Sequence, residues 1–169
     1  AIPEVPIFLD SPLAIHATTI FANHTDLWSA KARTHHQLDD FFAFPGLRMT
    51  ATREESRSIN GVPPPKVIIA GSGMMHGGRI LHHAKRYLSD PNSLLLVIGY
   101  QAQGTLGRTL LSGVKHVRIH GESIFVRARI QAIGAFSAHA DQPRLLSWLK
   151  GINHGPKQIA LVHGEPDQM

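Results

Sequence analysis

Three short runs, apolar at nearly every position, punctuate the first hundred residues: Val5-Pro-Ile-Phe-Leu9, Val67-Ile-Ile-Ala70 and Leu94-Leu-Leu-Val-Ile98. Runs of this length read as strands, and apolar residues at successive positions predict cover on both faces, the habit of parallel sheets. Each run feeds a turn and then a helical pattern. Asp10-Ser11-Pro12 follows the first, with Ser11 or Asp10 as helix cap and Pro12 in the first turn. Leu13, Ala17, Ile20, Phe21, His24, Leu27 and Trp28 then recur at helical spacing. The second run passes through Gly71-Ser-Gly-Met-Met-His-Gly-Gly78 into a helix with Ile80, Leu81, Ala84, Tyr87 and Leu88 on one face, stopped by Asp90-Pro91. The third passes through Gly99-Tyr-Gln-Ala-Gln-Gly-Thr-Leu-Gly-Arg108 into a short helix ending at Gly113. Strand, glycine loop and helix in alternation predict an α/β fold with a mainly parallel sheet and right-handed crossovers.

Elsewhere the pattern changes. Residues 31–60 are weaker: a helical turn around Leu38 to Phe42, a turn at Phe44-Pro-Gly-Leu47, and a short helix ending near Asn60 before Gly61 and Pro63-Pro-Pro65. After Lys115, Ile124, Val126, Ala128, Ile130 and Ala132 alternate with Phe125, Arg127, Arg129 and Gln131, which predicts one half-exposed, antiparallel strand. Asp141 then caps a helix carrying Leu145, Leu146, Trp148 and Leu149, ended by Gly151, and residues 158–162 read as a last strand delivering His163-Gly-Glu165. The change of texture places a domain seam near residue 120, giving domains 1–120 and 121–169.

The chain of 169 residues is 43% hydrophobic, enough for a folded core. It has no apolar run of about 18–20 residues and no basic-then-apolar leader, so a membrane protein is excluded and a cytoplasmic one expected. Cysteine is absent, which removes disulfides, thiolate metal sites and cysteine nucleophiles. Any transition metal falls to His, Asp or Glu. Seventeen Lys and Arg against twelve Asp and Glu give a net charge of +5, a flag for an anionic partner. The opening Ala-Ile-Pro and the closing Glu165-Pro166, which reads as a helix start, mark an expected piece of something longer.

Four places can carry chemistry. Glycines at a helix N-terminus let a phosphate approach backbone N–H groups, so Ser72 and Gly73 are candidate phosphate contacts. That loop lacks both the P-loop Gly-Lys-Ser/Thr and the GxGxxG spacing, and a plain tight turn remains the alternative. Arg108 follows the third run at the carboxyl end of a strand, where open α/β sheets bind ligands, and its planar fork suits phosphate oxygens. Ser137 and His139 lie between a strand end and a helix cap, and His163 ends the last strand. No His-x-His or His-Glu-x-x-His pair supplies a local zinc site.

Five strings occur in order: Ile-Phe-Leu-Asp-Ser-Pro-Leu-Ala at 7–14, Val-Ile-Ile-Ala-Gly-Ser-Gly-Met-Met-His-Gly-Gly-Arg at 67–79, Val-Ile-Gly-Tyr-Gln-Ala-Gln-Gly-Thr-Leu-Gly-Arg at 97–108, Ala-Phe-Ser-Ala-His-Ala-Asp-Gln at 135–142 and Leu-Val-His-Gly-Glu at 161–165. Together they resemble the β-CASP branch of the metallo-β-lactamase-fold RNA-processing nucleases, which includes the endonuclease subunit of the cleavage and polyadenylation factor. The resemblance implies a three-layer α/β/α β-CASP domain over 1–120, incomplete at its N-terminus. Over 121–169 it implies the return segment of a metallo-β-lactamase fold. It implies RNA as substrate and two Zn2+ ions that activate a bridging water for phosphodiester hydrolysis. On that resemblance His139 contacts the scissile phosphate and protonates the leaving oxygen, His163 is a zinc ligand, and Ser137 joins the phosphate contacts.

The family's His-x-His-x-Asp-His signature is absent, and Asp10, in a strand–helix junction, does not take its upstream acid's role. The chain is therefore expected to be a C-terminal piece that lacks the N-terminal metallo-β-lactamase half, binds no zinc alone and is inactive alone. A homodimer is implied by resemblance only. A non-catalytic RNA-binding relative is the alternative, and a Rossmann-type nucleotide enzyme is opposed by its missing fingerprint. Endonuclease or exonuclease action stays open.

Overall fold

The computed structural model describes residues 4–38, 42–134 and 140–162. The chain forms two compact units, residues 1–135 and 136–169. In the first, β1 (Ile7–Asp10) is followed by α1 (Pro12–Asn23), a 3-10 turn, α2 (Ala30–Leu38) and β2 (Leu47–Met49). Next come α3 (Arg53–Ser58), a second 3-10 turn, β3 (Val67–Ala70), α4 (Arg79–Tyr87), β4 (Leu94–Ile98) and α5 (Leu106–Leu111). The hairpin β5 (His116–Ile119) and β6 (Glu122–Phe125) then leads to β7 (Arg129–Ile133). In the second unit α6 (Gln142–Lys150) is capped by Asp141, whose carboxylate accepts from the Arg144 N–H at 3.0 Å.

The fold is α/β, with parallel strands dominant. β1 lies between β2 and β3, parallel to both, with Ile7 opposite Leu47 and Val67. β4 pairs in parallel with β7, Leu94 opposite Arg129. Ser11 caps α1 by accepting from the Ala14 N–H, with Pro12 at the first helical position, as the sequence predicts. The core gathers Met75, Ala84, Leu88, Leu110, Val117, Ile119, Ile124 and Ala128, so α4 and α5 pack against the hairpin.

Four expectations are corrected. The alternation at 124–132 is two strands, because the N–H groups of Arg127 and Ala128 both turn to the Leu88 carbonyl, at 2.8 and 2.9 Å, and break the ladder. Its first half pairs antiparallel with β5, its second parallel with β4. Second, the second and third apolar runs are not covered on both faces in this chain, unlike β1, which has no exposed position: Val67 and Ile69 of β3 are 45% and 49% exposed, and Leu94, Leu96 and Ile98 of β4 are 46%, 41% and 53% exposed. Third, residues 158–162 form no strand, since a strand needs a ladder partner and none pairs with them among the described residues. Fourth, Leu13, Ile20, Phe21 and Leu27 share helical spacing yet lie exposed, while Ala14, Ile15, Thr18 and Ala22 are the partly buried positions of α1. The helical turn expected around residues 38–42 falls largely outside the described residues.

Candidate functional site

The carboxyl ends of β1, β3 and β4 carry the polar architecture of the first unit. Asp10, the last residue of β1, is fully buried. Its Oδ1 accepts from Thr50 Oγ1 and Arg79 Nη1, both at 2.7 Å. Its Oδ2 accepts from Ser56 Oγ at 2.7 Å and lies 2.6 Å from His83 Nε2. An ionised carboxylate only accepts, so the His83 proton is on Nε2. Burial pushes the Asp10 pKa up, but the hydrogen bonds from His83, Ser56, Thr50 and Arg79 outweigh it and hold the carboxyl below its ordinary value. Arg79 also donates to the carbonyls of Thr50, at 2.6 Å, and Ala51, at 2.7 Å. A carboxylate has about four acceptor positions, and here all are taken. Asp10 is thus a structural tie joining β1, the residues after β2, α3 and α4, with no acceptor left for substrate or metal.

The two glycine loops meet. The 71–78 loop closes on itself: Ser72 N–H donates to the Gly77 carbonyl at 3.4 Å, Met75 N–H to the Ser72 carbonyl at 3.0 Å, and Ser72 Oγ accepts from the His76 N–H at 3.1 Å. Gly78 has φ +78°, and a Cβ there would stand 2.7 Å from the Gly71 carbonyl oxygen, so only glycine fits. Gln101, buried to 3% exposure after β4, donates through Nε2 to the Gly73 carbonyl at 3.0 Å. The Gly107 N–H reaches toward the Met74 carbonyl at 3.5 Å. A Cβ on Gly107 would overlap Gln101 Oε1, which has no hydrogen-bond partner among the described residues. Thr105 caps α5, its Oγ1 accepting from the Arg108 N–H at 3.1 Å.

Among the sequence-predicted residues, Ser72, Gly73 and Arg108 are exposed, and the Gln101 and Gly107 contacts bring their two loops together. Ser137, His139 and His163 lie outside the described residues. Among the described residues no three His, Asp or Glu side chains are grouped to hold a metal ion. The described residues alone therefore supply no zinc centre, and the candidate ligand His163 is not among them. No helix among the described residues is long and apolar enough to cross a membrane.

A family model of the Beta-Casp domain matches residues 1–110. The chain belongs to the Beta-Casp family. A second family model, described as a Zn-dependent metallo-hydrolase RNA specificity domain, matches residues 123–169 of this Beta-Casp chain. Ribonuclease TTHA0252 of Thermus thermophilus is 40% identical over 169 residues, 99% of this chain and 38% of the relative. Transcription termination factor FttA of Thermococcus kodakarensis is 34% identical over 169 residues, 96% of this chain and 26% of the relative. The FttA of Pyrococcus horikoshii is 32% identical over 172 residues, covering 98% of the chain and 26% of the relative. The chain thus spans between about a quarter and two-fifths of the length of these curated relatives.

The Asp10 tie and Gln101 are missed by sequence reasoning. Arg79 and His83 stand four apart on α4, the spacing of one helix face, and that pair was the available signal for the first. Nothing local marks Gln101.

Proposed function

We propose that the protein containing this chain is a ribonuclease that hydrolyses RNA phosphodiester bonds, and that this chain supplies phosphate contacts and a proton donor. The observation that carries the reading is the joined pair of glycine loops, in which Gln101 and Gly107 of the loop leading to Arg108 bond the carbonyls of Gly73 and Met74, next to the exposed Ser72. Phosphate oxygens suit the Arg fork, and the net charge of +5 agrees in sign. The 40% identity with a protein named a ribonuclease supports the choice of RNA. In this reading Ser137 adds a phosphate contact and His139 protonates the leaving oxygen. His163 is one ligand of a zinc site completed by residues elsewhere in the intact protein. Two Zn2+ ions there would supply an activated water. The division at residue 120, which follows the change of hydrophobic texture, a cytoplasmic location and a homodimer, which rests on resemblance, belong to the same reading.

A second reading is a termination factor that acts through RNA, favoured by the relatives that bear that name. It requires RNA binding and is indifferent to turnover. The test is an end-labelled RNA incubated with the intact protein. Cleavage that fails on Arg108→Ala, together with weaker binding and a shallower salt dependence, is expected. Tight binding without cleavage by wild-type protein would refute the ribonuclease and leave the second reading.

A further inference from the structure

The β5–β6 hairpin has two unlike faces. Val117, Ile119 and Ile124 are buried in the core, and Glu122, opposite Ile119, is bound by Lys85 of α4. The outward face carries His116, Arg118, Ser123 and Phe125, with His116 opposite Phe125 and Arg118 opposite Ser123. All four are exposed, Phe125 to 40%. The His116 and Phe125 rings meet edge to face at 4.7 Å and 70°, and the Arg127 guanidinium stands over the Phe125 ring at 5.2 Å. Arg127 and His116 thus flank one aromatic ring, with Arg118 on the same face of the ladder and no carboxylate on that face.

We propose that this outward face is a single-stranded RNA-binding surface separate from the glycine loops, with a base stacked on the Phe125–Arg127–His116 cluster and phosphates held by Arg118 and Arg127. Flat aromatic and guanidinium groups are the ones on which unpaired bases stack, and flanking cations are what a strand's phosphates require. A protein partner fits less well. One half-exposed ring is far short of the apolar core a stable protein interface of about 1,200 Å² or more is built on. A single base needs only one ring.

The rigid hairpin favours the role. His120 and Gly121 form its two-residue turn with φ +49° and +82°, the twist that matches paired strands. The His120 ring stacks on His82 of α4 at 4.9 Å, and the inner face is packed. The platform is therefore held before RNA arrives, and little ordering cost is left to binding.

The test is fluorescence anisotropy of the intact protein with a labelled, phosphorothioate-backbone oligouridylate of about 15 nucleotides. The probe resists cleavage, so the outcome does not depend on the ribonuclease reading. Phe125→Leu should weaken binding about fivefold or more, the lower end of one base stack, and Phe125→Trp should retain it. Arg118→Gln with Arg127→Gln should lower the slope of log affinity against log salt by about 1.4, two phosphate contacts at ~0.7 each. Unchanged affinity and slope in variants with wild-type circular dichroism would overturn the proposal. So would equal losses in Phe125→Leu and Phe125→Trp, since a ring that only packs gives no advantage to the larger aromatic.

Discussion

Replacing Asp10 should loosen the β1–β3 sheet by an amount that depends on what replaces it. Asp10→Ala leaves four donors, on Thr50, Ser56, Arg79 and His83, without their acceptor. Removing one partner of a buried charged pair costs about 3–5 kcal/mol. Arg79 keeps the Thr50 and Ala51 carbonyls and is 17% exposed, which places the cost near the lower end, about 3 kcal/mol. Asp10→Asn keeps an acceptor for Thr50 and Arg79. Ser56 can turn to accept from the new amide, and His83 can do so in its other tautomer. Only the charge is lost, at about 1–2 kcal/mol. Native-state hydrogen exchange of the Thr50 N–H, bonded to the Leu9 carbonyl at 3.1 Å, reports this locally in the intact protein. About 3 kcal/mol accelerates exchange roughly 150-fold, and the Asn variant should fall about five- to thirtyfold short of that. The pH dependence has a fixed sign. The folded-state pKa of Asp10 is depressed, so its contribution is present at neutral pH and is lost as pH falls through that depressed value. Asp10→Asn should therefore flatten the acid limb of the stability curve. Exchange in Asp10→Ala equal to wild type, or equal acid limbs in wild type and Asp10→Asn, would refute the tie.

Other outcomes follow from the loops and the core. Gly78→Ala should destabilise the 71–78 loop by more than the ~1 kcal/mol of an ordinary glycine replacement, since the methyl meets the Gly71 carbonyl; thermal unfolding reads it. Gly107→Ala should displace Gln101 and weaken the tie to Gly73, but in a Gln101→Ala background the same change should be harmless, a non-additivity that a double-mutant cycle measures. Leu110→Ala, at a site 1% exposed, should cost about 2–5 kcal/mol in urea unfolding.

Local signals were readable in the sequence and distant ones were not. β1, β3 and β4 follow from apolar runs, and Ser11 and Asp141 cap their helices as residues of that type do. α2 went unread because Ala30–Leu38 holds few apolar residues, and β2 because three residues carry no period. The split after β6 depends on one carbonyl, that of Leu88, some forty positions upstream. The Asp10 tie spans up to 73 positions, so no window contains it. Of the site, the glycine loops and Arg108 were visible as motifs, whereas the Gln101 clamp that joins them depends on tertiary contact.

The most direct test of the account is to compare His139→Ala and His163→Ala in the intact protein, measuring RNA cleavage and bound metal on the same samples. A proton donor and a metal ligand fail differently. The account predicts that His139→Ala keeps its zinc and loses turnover, and that His163→Ala loses both. Full zinc content with unchanged turnover in His163→Ala, or unimpaired cleavage by His139→Ala, would contradict it.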